Sequence, residues 1–153
     1  MEIIDLLEKL NRTLEETTSY FDLPENQLLN TYGEGKWNIR QILHHLTDAE
    51  TVLYDRIRRA ISKPNQVVWG FDQEAWEKGL EYNKFPLHLN KNIYTSVRNS
   101  IIYLVDEYYE SLGGNEYVHN ETGKRMLKDE FDKVAWHNEG HLVQIRIALQ
   151  KED

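Results

Sequence analysis

Two histidines four residues apart, His137 and His141, are the feature of this chain best suited to chemistry. On a helix that spacing stacks the two side chains on one face, about one turn apart. Two imidazoles so placed can grip one metal ion, as in helical zinc sites. At ~100° per residue, His137, His141 and Gln144 fall within about 60° of one another, on the flank of an apolar stripe that faces a neighbouring helix. A third imidazole, His45, lies about 100° from the stripe centre of an earlier helix, so it can turn into the boundary between helices. His44, about 160° from that centre, is expected on the solvated back. Three imidazoles on one ion leave positions open for water or substrate, the arrangement of catalytic rather than structural zinc. Imidazole suits zinc, nickel, copper and iron alike, so the ligands alone leave the metal open. The competing reading is a plain bundle with scattered histidines. The free-energy cost of burying unpaired imidazoles weighs against it.

The other polar residues near these helices read less sharply. Glu50 points toward the apolar face of its helix and needs a partner there. A Lys or Arg near a helix end is the preferred partner, and orientation of a ligand histidine from behind is the other possibility. Gln144 and Asp72 are further candidates to support the site, although Asp72 reads first as the cap of a short helical turn. His88 and His119 fall in loops or at a helix end and are expected to be solvated. Gly140 sits between the paired histidines and costs about 1 kcal/mol against Ala there. Close approach of a neighbour and a tolerated weak spot on the polar side are equally open. The chain has no cysteine, which removes disulfides, zinc–thiolate sites and Cys nucleophiles. Any thiol chemistry must therefore use a thiol cosubstrate.

Four amphipathic segments must position these residues. From about Glu2 to Phe21, the residues Ile3, Leu7, Leu10, Leu14, Thr17 and Phe21 recur at spacings of four and three, and Pro24 closes the segment. The second helix is expected over Ile39–Ser62, with Asn38 and Gln41 forming a capping box and Pro64 beyond its end. Residues 65–88 read as irregular, with one short turn near Gly70–Trp76. A connection that long often packs over a site. The third helix is expected over about Asn90–Leu112, with Ile93, Val97, Ile101, Leu104, Val105 and Tyr108 inward and Gly113-Gly114 as its stop. Asn120–Gly123 reads as the tip of a small hairpin. The fourth helix follows over about Leu127–Leu149. The simplest way to bury four stripes is an all-α four-helix bundle forming a single domain over residues 1–153. The long connection means that up-down-up-down order is not guaranteed.

Composition narrows the partners. The chain has 153 residues with 18 Lys and Arg against 26 Asp and Glu, a formal net charge of −8. A field of that sign disfavours nucleic acid and anionic membrane surfaces as partners. No apolar run approaches the ~20 residues of a membrane span. The acidic, periodic start lacks the basic-then-apolar order of a signal peptide, so a cytoplasmic location is expected.

The residues Gly35-Lys36-Trp37-Asn38-Ile39-Arg40-Gln41-Ile42-Leu43-His44-His45-Leu46-Thr47-Asp48-Ala49-Glu50 resemble the Trp-led, His-Leu-containing second helix of the DinB-like (DinB/YfiT-like) superfamily. Trp136-His137-Asn138-Glu139-Gly140-His141-Leu142-Val143-Gln144-Ile145 resembles that family's last-helix signature, His-x3-His followed by Gln-Ile. Phe71–Trp76 and Glu121–Gly123 are similar to loop pieces of its YfiT branch. Order and spacing cover nearly the whole chain. The resemblance implies an up-down-down-up bundle and a divalent metal, commonly zinc or nickel, held by His45, His137 and His141. Many relatives carry a further histidine where this chain has Gly140. The resemblance also implies a small-molecule substrate and a possible homodimer. Its members include thiol S-transferases, a maleylpyruvate isomerase, and many proteins of unknown activity labelled metal-dependent hydrolases. S-transfer to a low-molecular-weight thiol is the leading expectation, hydrolysis the alternative, and a non-catalytic metal-stabilised binding or sensing bundle the reading from another class.

Overall fold

The computed structural model describes residues 1–150; the last three positions of the expected domain lie outside the described residues. The elements run α1 (Ile3–Tyr20), α2 (Glu25–Leu28), α3 (Ile39–Ser62), β1 (Val67–Val68), α4 (Gln73–Gly79), α5 (Leu87–Leu112), β2 (Glu116–His119), β3 (Gly123–Met126) and α6 (Leu127–Gln150). Local chemistry sets several of these ends. Asn38 and Gln41 form the expected capping box: the Asn38 side chain accepts from the Gln41 N–H, and the Gln41 side chain accepts from the Asn38 N–H, each at 2.8 Å. Asp72 accepts from the backbone N–H groups of Glu74 and Ala75 and starts α4. Pro86, with φ −64°, presets the entry to α5, which begins three residues before the expected Asn90. Gly123 takes φ +85° at the end of the hairpin turn, a conformation that favours glycine.

Side-chain pairs along the four long helices settle their directions. Arg12 meets Glu139 and Glu16 meets Arg146, so α1 and α6 run parallel. Lys91 pairs with Asp22 at one end, and the Tyr109 hydroxyl reaches the Met1 carbonyl at the other, so α5 runs against α1. Asn90 meets His44 and Arg98 meets Glu50, which makes α3 parallel to α5. Arg56 meets Glu130 and His45 meets His137, which makes α3 antiparallel to α6. The order is up-down-down-up. Helices α1 and α3 occupy opposite corners, each packed against both α5 and α6.

A polar layer divides the core in two. On one side lie Leu6, Leu53, Ile57, Val105 and Phe131; on the other lie Ile42, Leu46, Tyr94, Leu142 and Ile145. Between them Arg98, wholly buried, forms a charge pair with Glu50 and donates to the Leu10 carbonyl (3.0 Å), the Thr13 hydroxyl (2.7 Å) and Asn138 Oδ1 (2.8 Å). Such a network is tolerable in a core because each member is paired.

This layer explains why the inward face of α5 differs from the expected one. The buried positions are Asn90, Tyr94, Arg98, Ile101, Val105 and Tyr109, while Ile93 is 42% exposed. An asparagine and an arginine hold core positions that the apolar period passed over in favour of Ile93 and Val97, so the apparent stripe was rotated, although Ile101 and Val105 are buried as expected. The sheet is also larger than the expected hairpin. Strand β1, from the segment read as irregular, pairs parallel with β2, and β2 pairs antiparallel with β3. No helix among the described residues is long and apolar enough to cross a membrane.

Candidate metal centre

Helices α3 and α6 bring His45, His137 and His141 together. His45 is fully buried and the other two are partly buried. His45 Nε2 and His137 Nε2 stand 3.2 Å apart. One ligand nitrogen from each of the three rings lies within 4.8 Å of the others. Two nitrogens bound to one tetrahedral zinc at 2.0–2.1 Å lie about 3.3 Å apart, so the His45–His137 spacing fits a shared ion. Gln144 Oε1 is 2.8 Å from His141 Nδ1. The amide oxygen can only accept, so the proton sits on Nδ1 and the Nε2 lone pair is free. His45 Nδ1 is buried without a partner.

Burial keeps these rings neutral. It holds the His45 imidazole down at about 3, with His141 adding to the effect. His137 is held at about 2, by burial first and then by His141 and His45. His141 is lowered by burial and pulled back by its bond to Gln144. Neutral imidazole is the form that carries a lone pair for a metal. Among the described residues no fourth His, Asp or Glu joins the group.

The surroundings shield the site without closing it. The Trp37 ring lies 5.1 Å from His45, Phe71 stacks on His45 at 6.2 Å, and Trp76 backs Phe71 at 4.8 Å. Phe71 and Trp76 come from the long connection, which therefore does pack over the site. Two cavities of about 260 Å³ flank the histidines. His45 and His137 border one, His141 and Gln144 border the other, and Gln73 borders both.

The supporting residues fall out differently. Gln144 touches a site histidine, as expected of a supporting group. Glu50 does not; it pairs with Arg98 in mid-helix, not near a helix end. Asp72 is spent on capping α4. His44 is not on a solvated back. It is fully buried, with Nδ1 2.7 Å from the Asn90 amide and Nε2 3.0 Å from the Phe85 carbonyl, and with the Tyr82 and Phe85 rings against it. Burial, with Arg40 nearby, lowers it to about 4. The segment entering α5 covers the face of α3 that a helix wheel assigns to water. His119 is likewise buried, and its Nδ1 accepts the Glu121 and Thr122 N–H groups and closes the hairpin turn. His88 is exposed, as expected. An added Cβ at Gly140 would meet nothing within 4 Å, so no neighbour approaches closely there. Sequence reasoning missed Arg98 and Asn138. Their signal was a charged and an amide residue at the helical spacing of core positions.

An up-down-down-up bundle with three neutral histidines at the meeting of its second and last long helices defines a class of candidate metal-binding bundles. The chain belongs to the DinB superfamily, whose family model matches residues 9–145. It is 31% identical over 148 residues to a protein of Oceanobacillus iheyensis named as a candidate metal-dependent hydrolase, covering 97% of this chain and 84% of that one. A second such protein of the same organism is 28% identical over 152 residues, covering 99% of this chain and 87% of the relative. Among solved structures, YfiT from Bacillus subtilis superposes with a TM-score of 0.79 over 94% of this chain and 82% of its own. That protein is described as a candidate metal-dependent hydrolase with an unusual four-helix bundle topology. At 19% identity, that likeness speaks for the fold alone.

Proposed function

We propose that His45, His137 and His141 hold one divalent metal ion and that the protein is a metal-dependent hydrolase of a small molecule. The observation that carries this reading is a set of three neutral imidazoles with no fourth His, Asp or Glu joining them among the described residues, set between two cavities. A closed structural site would supply the fourth ligand itself. Gln144 fixes the tautomer and orientation of His141. Trp37 and Phe71 limit water around His45 and strengthen electrostatics there. A divalent ion held by His45, His137 and His141 would supply Lewis acidity and would make a water or thiol more acidic. The names of the relatives favour hydrolysis.

Transfer to a low-molecular-weight thiol is the second reading. What favours it is the pair of cavities on the two sides of the histidines, which gives room for a cosubstrate as well as a substrate. Zinc and nickel are the ions to load first.

The test is metal content by elemental mass spectrometry of untagged protein, with His45→Ala, His137→Ala, His141→Ala and His44→Ala variants. One ion per chain, lost in the first three and kept in the fourth, supports the site. No uptake of added zinc or nickel overturns it. Ester turnover by the loaded protein without thiol supports hydrolysis, and turnover only with added thiol supports transfer. A tightly held ion with neither activity favours the non-catalytic bundle.

A further inference from the structure

The cavity bordered by His45 and His137 has a charge pattern that the three histidines do not explain. The chain carries a net charge of −8, yet Arg56, Arg125 and Lys133 all line this cavity, against the carboxylates Glu121 and Glu130. The donors of these cations are under-used. Arg56 is 4% exposed and its Nε is buried without an acceptor. Its Nη2 donates to the Trp69 carbonyl at 2.8 Å, while its Nη1 stands 3.7 Å from Glu130, beyond hydrogen-bond length. Glu130 accepts from the Tyr117 hydroxyl at 2.6 Å through Oε1, and its Oε2, the oxygen facing Arg56, is buried without a hydrogen-bond donor. Arg125 Nε is also buried without an acceptor, with Asp129 3.9 Å away. Lys133 lies one helical turn before His137 and has no hydrogen-bonded or ion-paired partner among the described residues. Its ammonium is held below the usual lysine range by burial and by the nearby Arg56 and Arg125, with Glu130 opposing. His119 adds a neutral donor. Its Nδ1 accepts two backbone N–H groups at 3.1 and 3.2 Å, so its proton sits on Nε2, which has no protein acceptor among the described residues.

Three cations face two carboxylates here, and buried cationic donors left without acceptors are unfavourable unless a further anion joins them. We propose that this cavity is an anion-binding subsite that takes a carboxylate or phosphate group carried by the substrate, gripped by Lys133, Arg125, Arg56 and His119, while the reacting bond lies at the three histidines. The assignment rests on the histidines being the reacting centre. It makes the substrate a small acid rather than a neutral compound. Both anion types accept several charge-assisted hydrogen bonds at once, which matches this donor set.

The experiment is a titration of chelator-treated protein with sodium phosphate and with sodium malonate, against sodium chloride at equal ionic strength. Amide chemical shifts and thermal shift are the readouts. Working without metal keeps direct ligation of the anion to an ion out of the signal. Saturable binding of either probe, weakened about tenfold or more in Lys133→Gln and in Arg125→Gln, is expected. Recovery in Arg125→Lys would support the charge as the cause. Tighter phosphate identifies a phosphate group, and tighter malonate a carboxylate. Both substituted positions are partly exposed, so the fold should survive, and circular dichroism checks it. No binding above the chloride control overturns the subsite, as does wild-type binding in both Gln variants. Either result leaves metal uptake by the histidines intact. Loss of the metal reading, in turn, leaves this titration unchanged.

Discussion

The Glu50–Arg98 pair lies in the polar layer between the two halves of the core, and replacing Arg98 with Met tests what that layer is for. Arg98 is wholly buried and Glu50 is 3% exposed. The neighbours of the guanidinium would not all be stranded by its loss. Thr13 still donates to the Lys9 carbonyl at 2.8 Å, and Asn138 Oδ1 still accepts from Tyr94 at 2.5 Å. The group left without compensation is the Glu50 carboxylate. Breaking a buried pair by removing one partner costs about 3–5 kcal/mol. For a chain of this length that is a fall in Tm of roughly 6–20 °C. The double variant Arg98→Met, Glu50→Leu removes both charges with similar volume. It should recover at least about 2 kcal/mol relative to the sum of the single changes. Urea unfolding of the metal-free proteins measures the cycle, and zinc content measures the site. Because Glu50 touches none of the three histidines, zinc content should stay at one per chain in the double variant. A stable double variant that no longer takes up zinc would show that the Glu50–Arg98 pair acts on the histidines after all. An Arg98→Met variant within about 1 kcal/mol of wild type would refute the energetic argument.

Three further outcomes are expected. Gln144→Leu should weaken zinc binding by about 10- to 100-fold without unfolding the bundle, with recovery in Gln144→Glu, as measured by competition with a chromogenic chelator. Gly140→Ala should raise Tm by roughly 1–4 °C, because it removes about 0.5–1 kcal/mol of helix-breaking and its new methyl meets nothing. His44 is held at about 4 in the fold, below its ordinary value of about 6.5, so the fold prefers its neutral form. Its contribution is fully present above about pH 6.5 and is lost as pH falls toward about 4, reaching roughly 2–3 kcal/mol by pH 4.5. Urea unfolding of metal-free His44→Gln should therefore show a flatter pH dependence than wild type over that window, from a lower starting stability at pH 7. Parallel curves would remove His44 as the cause.

The sequence carried the local part of this structure. The Asn38–Gln41 box set the start of α3, Asp72 the start of α4, and Gly123 the hairpin turn, because each of these is decided within about four residues. The facing of His137 and His141 with Gln144 followed from helical geometry alone, and His45 followed from its angle to its own stripe. What wrapped around each helix was not legible in the same way. His44 looked solvated because a helix wheel knows nothing of the chain that later folds across its back. Arg98 stood out of the apolar period of α5 because its partner, Glu50, is 48 residues away in sequence and supplies what apolar burial would otherwise have to. Arg56, Arg125 and Lys133 come from separate stretches of chain, and only tertiary packing turns them into one basic cavity beside the histidines. The physical reason is range. Capping, turn conformation and helical facing depend on bonded neighbours. Burial and charge environment depend on every element that packs nearby, and those are set only when the bundle closes.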